Sequence, residues 1–234
     1  MKVAIDGPAG AGKSTVAKAV AQGRGFVYLD TGAMYRSVAL LALEGDVDLA
    51  DEAALAAIAE SIELAFVPAA DGGQRVLVAG RDVTSEIRTP RVDAAVSSVS
   101  SVPAVRTSMV ELQRKLAGSA DVVAEGRDIG TVVFPAADVK VFLTASPEAR
   151  ARRRAVQRSG GNLAQDAAAT ADPEEERCIL ADLKRRDDYD SSRATSPLRP
   201  ADDAVIVDSS DMGFEDVVEK IASLSPALLA RANA

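Results

Sequence analysis

A glycine-rich turn at residues 6–15, with the sequence DGPAGAGKST, constrains the fold of this chain more than any other feature. Gly7, Gly12, Lys13 and Ser14 have the spacing of a phosphate-binding loop, in which four residues separate the two glycines. An apolar run precedes the turn and a helical pattern follows it. The stretch therefore predicts a buried strand, a phosphate-binding loop and the first turn of a helix.

The chemistry of such a loop follows from its backbone. Free N–H groups and the positive end of the helix dipole form a site for anions. We expect Lys13 to reach the outer phosphates of a nucleoside triphosphate and the Ser14 hydroxyl to hold Mg²⁺. A glycine turn that binds nothing is the alternative, and the strand and helix on either side disfavour it.

Short apolar runs alternate with helical patterns along the chain, and their sequences are KVAID, FVYLD, DVVAEG, VKVFL and AVIVD. This alternation predicts a parallel α/β sheet. Four runs end in or beside an acid, namely Asp6, Asp30, Glu125 and Asp208. Because ligands bind beyond the carboxyl ends of such strands, we expect Asp30 and Glu125 to open onto the cleft of the phosphate loop. Asp208 is better explained as a solvated strand end.

Residues 62–89 interrupt this alternation. An Asp-Gly-Gly turn between two β-rich segments predicts a hairpin or small antiparallel sheet. We interpret it as an insert in a core formed by residues 1–61 and 90–234. A helical stretch from about Val92 to Leu116 follows, and Asp172 with Pro173 predicts the start of a later helix.

Composition excludes several classes of function. The net charge is −8 and aromatic residues make up 3%, which argues against a general nucleic-acid binder. The chain has no histidine, so a Ser-His-Asp hydrolase and a histidine-ligated zinc site are excluded. A single cysteine fits a reducing compartment, and no apolar run is long enough to span a bilayer. We expect a cytoplasmic monomer with no nucleic-acid or membrane partner.

Arginine is concentrated in the segment EARARRRAVQR, which carries Arg150, Arg152, Arg153, Arg154 and Arg158. Three of them are four residues apart and share a helix face. The cluster is either a solvated face or a flexible lid, at about residues 150–172, that clamps phosphates.

A second charged group, in the segment RRDDYDSSR, spaces Arg186, Asp190 and Arg193 along one helix face. It is either a salt-bridge network or a site for planar phosphate recognition.

Two further segments place charges just beyond predicted strands. EGRDIG carries Glu125, Arg127 and Asp128, which are costly there unless they meet a ligand or each other. LDTGAMYR begins at a strand end and places a tyrosine and an arginine one turn into a helix. We expect this arginine to face an anion, whereas the tyrosine is also compatible with a core position. The residues of this second segment are Asp30, Thr31, Tyr35 and Arg36.

Six segments together resemble the bacterial cytidylate kinases, within the nucleoside monophosphate kinases. They are DGPAGAGKST, LDTGAMYR, SEIRTPRV, EGRDIGTVVFP, RARRR and RRDDYDSSRATSPL. The resemblance implies an α/β P-loop fold of three layers with a five-stranded parallel sheet, a small β-rich monophosphate-binding insert at 62–89 and an arginine-rich lid. It also implies transfer of the γ-phosphoryl group of ATP to CMP or dCMP, with Mg²⁺.

The same resemblance implies roles for individual residues. ATP would be bound by Gly7, Pro8, Ala9, Gly10, Ala11, Gly12, Lys13, Ser14 and Thr15, with Ser14 on the metal. The catalytic residues would be Lys13, Arg127, Arg186 and Arg193. Arg36, Arg127 and Arg186 would hold the acceptor phosphate, Asp190 the sugar, and Ser97, Arg106 and Asp128 the base. Asp30, Thr31 and Tyr35 complete the candidate CMP site. The strand-end acid is Glu125 here, where some relatives have Asp.

Two other functions remain open at this point. One is a kinase that acts on another small acceptor, such as UMP, AMP or shikimate, on the same core. The other is a nucleotide-driven switch or regulatory ATPase. The Asn-Lys-x-Asp motif that usually reads guanine in GTPase switches is absent from the sequence.

Overall fold

A computed structural model describes residues 1–69, 73–161, 170–193, 195–226 and 228. The chain forms two compact units, which are described separately. The larger unit comprises Met1–Tyr28 and Ser119–Ala234, and the smaller unit comprises Leu29–Gly118.

The elements of secondary structure are numbered in chain order. The strands are β1 (Lys2–Asp6), β2 (Val27–Asp30), β3 (Leu64–Pro68), β4 (Gln74–Val78), β5 (Arg81–Asp82), β6 (Val122–Gly126), β7 (Val139–Thr144) and β8 (Val205–Asp208). The helices are α1 (Lys13–Gln22), α2 (Thr31–Glu44), α3 (Glu52–Ser61), α4 (Pro90–Ser101), α5 (Pro103–Ala117), α6 (Pro147–Arg158), α7 (Pro173–Ser192) and α8 (Phe214–Ser223). A 3₁₀ turn spans Glu86–Arg88 and a π-helical turn spans Ile129–Val133.

A five-stranded sheet with the order β2-β6-β1-β7-β8 forms the core of the α/β fold. β1 pairs in parallel with both β6 and β7, and β7 pairs in parallel with β8. The five apolar runs identified in the sequence are these five strands, so the predicted parallel sheet is confirmed. The sheet side chains Val3, Ile5 and Leu143 pack in one apolar cluster with Val16 and Val20 of α1 and Ile221 of α8. Because β1 is the central strand, the phosphate loop leaves the middle of the sheet.

The smaller unit contains helices α2 to α5 and the antiparallel sheet β3-β4-β5. Leu64 is paired with Val78 in this sheet, and the predicted antiparallel arrangement is therefore present. Residues 70–72, at the predicted Asp-Gly-Gly turn, lie outside the described residues. The smaller unit extends beyond 62–89 on both sides, and the boundaries of a monophosphate-binding insert stay a prediction.

The helical stretch predicted over 92–116 consists of two helices. Val102 separates α4 from α5 with an extended backbone, at ψ 118°. Pro103 explains the break, since its ring disfavours a helical conformation of the preceding residue and it supplies no N–H. The predicted start of α7 is present, and the Asp172 side chain accepts a hydrogen bond from the Glu174 N–H at 3.0 Å. No helix in the described part of the chain is long and apolar enough to cross a membrane.

Two glycines of the phosphate loop allow a test of how closely the loop packs against β7. Gly7 and Gly12 both have positive φ, at 148° and 89°. A methyl group at Gly7 would overlap the carbonyl oxygen of Leu143, whereas nothing lies within 4 Å of one at Gly12. We expect Gly12→Ala to cost about 1–2 kcal/mol through backbone strain, and Gly7→Ala to cost a further 1–3 kcal/mol or so through overlap. Urea unfolding of both variants measures the difference, and equal losses would contradict it.

Candidate active site

The phosphate loop ends where α1 begins, at Lys13. The backbone of Gly12 is left-handed, which turns the chain into the helix. Lys13 Nζ is buried and donates to the carbonyl oxygen of Pro8 at 2.8 Å, so the side chain folds back over the loop. Ser14 and Thr15 are exposed in the first turn of α1. This arrangement leaves a helix N-terminus, a lysine and a hydroxyl group together, which suits the phosphates of a nucleotide.

The electrostatic environment of Lys13 is unusual for a lysine. Burial, followed by the positive charge of Arg127, lowers the pKa of its ammonium group to about 7, although Glu125 and Asp6 oppose this effect. Arg186 lowers it further. Positive charges are therefore concentrated around the loop, and an anion there would relieve their mutual repulsion.

Asp6, the last residue of β1, holds the turn that follows β6. It is 4% exposed, and its two carboxylate oxygens accept the N–H groups of Ile129 at 2.8 Å and Gly130 at 2.7 Å. Burial raises the pKa of this carboxyl group to about 6, while the two backbone hydrogen bonds oppose the rise. Sequence reasoning missed this role because it treated Asp6 only as the entry to the loop. The carboxylate thereby fixes the segment that begins with Arg127 and Asp128.

Arg127 links the phosphate loop to α7. Its Nη1 donates to the carbonyl oxygen of Gly7 at 2.9 Å, and its Nε donates to Asp190 Oδ2 at 2.9 Å. Asp190, which is 2% exposed, also pairs with Arg193. Burial alone would raise the pKa of Asp190, but the charges of Arg127 and Arg193 lower it. The Asp190–Arg193 ion pair of the proposed salt-bridge network is therefore present, Arg127 is an added member, and the charge of Arg186 also acts on Asp190. Phosphate binding by these arginines stays a prediction.

Three further candidates of the larger unit are buried or half-buried, namely Arg186, Asp128 and Glu125. Arg186 is half-buried on α7, and its charge contributes to the lowered pKa of both Lys13 and Asp190. Asp128 is buried beside Arg127. Glu125 is buried as well and accepts a hydrogen bond from the Tyr28 hydroxyl at 2.5 Å. By contrast, Asp208 is exposed and is bonded to Ser210, which agrees with its interpretation as a solvated strand end.

The smaller unit holds the candidates from the segment LDTGAMYR. Asp30 caps α2 by accepting the Ala33 N–H at 2.9 Å, and it pairs with Arg88 at 3.1 Å. Arg36 forms an ion pair with Asp93 at 2.5 Å and donates to the Ile87 carbonyl oxygen at 3.2 Å. Thr31 is buried at the start of the same helix. These contacts orient Arg36, and contact with a phosphate remains a prediction.

Arg106 contacts Tyr35 directly and is connected to the backbone of Ser97 through Ser100. This side chain is buried, and its guanidinium carbon lies 5.5 Å from the centre of the Tyr35 ring. Its Nη1 donates to the carbonyl oxygen of Ser100 at 3.1 Å, and the Ser100 hydroxyl bonds in turn to the carbonyl oxygen of Ser97 at 3.2 Å. The Tyr35 ring is buried, as its core interpretation required, and it also supports Arg106 by a cation–π contact.

The arginine cluster on α6 is not one solvated face. Arg150 is buried and hydrogen-bonded, Arg153 is bonded to Ser209, and Arg158 is exposed with Glu175 at 3.8 Å. Arg150 and Arg158 lie two turns apart on the same helix, as the spacing predicts, but they differ in burial. Residues 162–169 of the predicted lid lie outside the described residues.

Among the residues that the structure describes, no group of three or more acidic or cysteine side chains could hold a metal ion. Mg²⁺ in nucleotide sites is usually held by one or two protein groups together with phosphate oxygens and water. The exposed Ser14 hydroxyl fits that donor set, so the residues present are compatible with a nucleotide-bound Mg²⁺.

The fold and the loop define a P-loop protein with an α/β core. A solved structure described as an uncharacterized protein from Eubacterium ventriosum shares the fold, with a TM-score of 0.51 at 11% identity, over 96% of this chain and 97% of that chain.

The family model for cytidylate kinase matches residues 3–226, and the chain therefore belongs to the cytidylate kinase family. Cytidylate kinase of Pelotomaculum thermopropionicum is 50% identical over 221 residues, which cover 94% of each chain. Cytidylate kinase of Mycolicibacterium paratuberculosis is 51% identical over 223 residues, which cover 95% of this chain and 93% of that protein.

The raised pKa of Asp6 predicts a particular pH dependence of stability. Below pH ~4 its carboxyl group is protonated in both the folded and the unfolded state. As the pH rises to about 6, only the unfolded chain releases the proton, so the free energy of unfolding falls. Above that pH both states are ionised, and the contribution of Asp6 to the free energy of unfolding no longer changes. Asp6→Asn lacks this titration. We therefore expect the stability of the wild type relative to Asp6→Asn to decrease between pH ~4 and ~6, on the order of 3 kcal/mol in total.

Denaturant unfolding of both proteins at a series of pH values measures this difference, and titrations common to both cancel. Asp6→Asn also loses one of two acceptors for buried N–H groups, a cost of about 1–3 kcal/mol that does not vary with pH. A constant difference between the two proteins would show that Asp6 has an ordinary pKa.

Proposed function

We propose that this protein transfers the γ-phosphoryl group of ATP to CMP or dCMP and releases ADP with CDP or dCDP. The observation that carries the proposal is the hydrogen bond from Arg127 to the Gly7 carbonyl oxygen, in a chain of the cytidylate kinase family. An arginine assigned to the acceptor phosphate thereby touches the loop assigned to the donor. We further propose that the protein acts as a monomer in the cytoplasm, where the exposed thiol of Cys178 would stay reduced.

The donor would be held by residues 7–15. Backbone N–H groups and the dipole of α1 favour the phosphates, and Lys13 adds a charge at the outer phosphates. Contact with phosphate oxygens would raise the pKa of Lys13 from about 7 and keep it protonated. The Ser14 hydroxyl would hold Mg²⁺, which neutralises phosphate charge when bound.

The acceptor phosphate would be held by arginines. We assign Arg127, Arg186 and Arg36 to this group and place Arg193 near the group in transfer. Phosphoryl transfer requires alignment and neutralisation of charge, and no covalent nucleophile from the protein. A phosphate oxygen of CMP attacks the γ-phosphorus atom of ATP, and the bond from that phosphorus to the bridging oxygen of ADP breaks. The arginines stabilise the equatorial oxygens of the transferred group. The ion pair of Arg127 with Asp190 would keep that guanidinium oriented.

The nucleoside would be read by groups of fixed hydrogen-bonding character. A carboxylate at Asp128 only accepts, so it suits the N4 amino group of cytosine and opposes O4 of uracil. Arg106 only donates, so it suits N3 or O2 of cytosine. Ser97 can donate or accept, and Asp190 would meet the sugar. Asp30, Thr31 and Tyr35 would complete the acceptor site by positioning the helix and Arg106.

A coupled assay of ADP release tests the proposal directly. Wild-type protein is supplied with MgATP and, separately, with CMP, dCMP, UMP, AMP or shikimate. We expect turnover with CMP or dCMP to exceed turnover with the other acceptors. Slow ATP hydrolysis that no acceptor stimulates would instead support a nucleotide switch.

Lys13→Ala should abolish most of the catalytic rate and leave the fold intact. Its ammonium group would stabilise charge that develops on the phosphates in the transition state, and loss of such a contact costs about 10²- to 10³-fold. Steady-state kcat for CMP measures the effect. Lys18→Ala on the same helix, outside the loop, is the matched control, and near-normal turnover of folded Lys13→Ala would show that the loop is not catalytic.

Asp128→Asn should narrow the preference for CMP over UMP. The amide can rotate to donate, so the variant accepts the cytosine amino group less well and opposes uracil less strongly. We expect the ratio of kcat/KM values to fall roughly 10- to 100-fold, mainly through poorer use of CMP, as for one hydrogen bond to a charged group.

The exposed Asp202→Asn is the control for this substitution and should leave the ratio unchanged. A ratio that Asp128→Asn does not alter would assign Asp128 a structural role, such as pairing with an arginine.

A further inference from the structure

Arg150 is a buried arginine that the proposed transfer does not use. It is 3% exposed, and each part of its guanidinium donates to a different partner. Nε donates to the carbonyl oxygen of Ala145 at 3.0 Å, Nη1 to that of Ala9 at 2.9 Å, and Nη2 to Asp187 Oδ2 at 2.6 Å. A buried guanidinium is costly unless its donors are satisfied, so these partners fix its position. An arginine of a mobile lid would be more exposed.

The partner Ala9 belongs to the phosphate loop. Its side chain packs in a small apolar cluster with residues of α6 and α7, namely Ala151, Ala155, Ile179 and Leu183. The next residue, Gly10, has φ 78°, and a Cβ atom there would lie 3.2 Å from Arg150 Cβ. The loop is therefore seated directly on α6 at the position of Arg150.

The partner Asp187 belongs to α7. It follows Arg186, which we assign to the acceptor phosphate, and it lies one turn before Asp190. A single side chain thus bonds to the loop that would hold ATP and to the helix that carries residues assigned to CMP. Arg127 makes a comparable connection through Gly7 and Asp190, but the proposed transfer already assigns it to a phosphate.

We propose that Arg150 is a positioning residue that holds the phosphate loop and helix α7 in one fixed arrangement. Its bond to the Ala9 carbonyl orients the loop, and its bond to Asp187 orients α7. Because the guanidinium already donates to protein oxygens through Nε, Nη1 and Nη2, it does not bind phosphate. The inference rests on the proposed function, because it assumes that the loop and α7 serve the same transfer.

Arg150→Lys tests the connection while it preserves the charge. A lysine ammonium cannot span the two carbonyl groups and the carboxylate as the planar guanidinium does. We expect KM for ATP to rise roughly tenfold and kcat to fall by a similar factor, as for one hydrogen bond to a charged group. In the protein without nucleotide, the ¹⁵N–¹H shifts of Ala9, Gly10 and Gly12 should change. Urea unfolding gives the free energy of unfolding of each variant, and from it the fraction that is folded in the assay.

Asp187→Asn distinguishes the contact of Arg150 with α7 from its contact with the loop. It also tests the proposal if Arg150→Lys does not fold. It weakens only the contact to α7, so we expect kcat to fall about tenfold while KM for ATP stays within about twofold. The control is Lys184→Gln, which removes a different ion pair between α6 and α7, to Glu148 at 3.5 Å. Both side chains of that pair are more than half exposed, and we expect kcat and KM within about twofold of the wild type.

The inference is overturned if Arg150→Lys and Asp187→Asn both behave like Lys184→Gln, or if their rates fall only in proportion to the folded fraction. Failure of the proposed function is a separate result, because it would appear as wild-type protein that phosphorylates no monophosphate. The loop shifts and an ATP titration would still report on Arg150 in that case.

Discussion

The close approach of Gly7 to the end of β7 determines how the rest of the site is built. A side chain at Gly7 would overlap the Leu143 carbonyl oxygen, so only glycine fits where the chain leaves the central strand. Three successive parts of the turn are then held from different directions. Asp6 holds the segment after β6, Arg127 donates to the Gly7 carbonyl, and Arg150 donates to the Ala9 carbonyl. These bonds fix the carbonyl groups of Gly7 and Ala9, and under the proposed function the loop N–H groups would bind the phosphates.

Buried charge is the second feature of this arrangement. Lys13, Asp6 and Glu125 are all buried near one another, and the two acids oppose the fall in the pKa of Lys13. Burial of so many charges destabilises a fold unless each has a partner. The pairs in the site are therefore long-range connections between elements, as Arg127 with Asp190 and Arg150 with Asp187 illustrate. They orient groups before a ligand binds, which lowers the reorganisation that phosphoryl transfer requires.

The sequence was sufficient for the parts of the fold that depend on local pattern. Each apolar run became a strand, and the spacing of Gly7, Gly12 and Lys13 predicted the loop. Helix periodicity also identified a common face for Arg150 and Arg158, but it could not reveal that the loop covers Arg150. The role of Asp6 was equally hidden, because it accepts bonds from residues more than 120 positions away in the chain. Such contacts arise only when parallel strands bring distant turns to one edge of the sheet.

Under the proposed function, most residues assigned to phosphate belong to one unit of the chain and most residues assigned to the base belong to the other. The larger unit supplies the loop and the buried arginine network, whereas the smaller unit holds Arg106 against the Tyr35 ring. Two candidates depart from this division: Asp128 is a base candidate in the larger unit and directly follows Arg127, and Arg36 is a phosphate candidate in the smaller unit. Arg127 and Asp128 directly precede Ile129 and Gly130, whose N–H groups donate to Asp6, so one carboxylate fixes the turn that carries both candidates. On the proposed assignments, a change in the geometry of Asp6 would alter both the catalytic rate and the base preference, whereas a change at Arg106 would alter mainly the base preference.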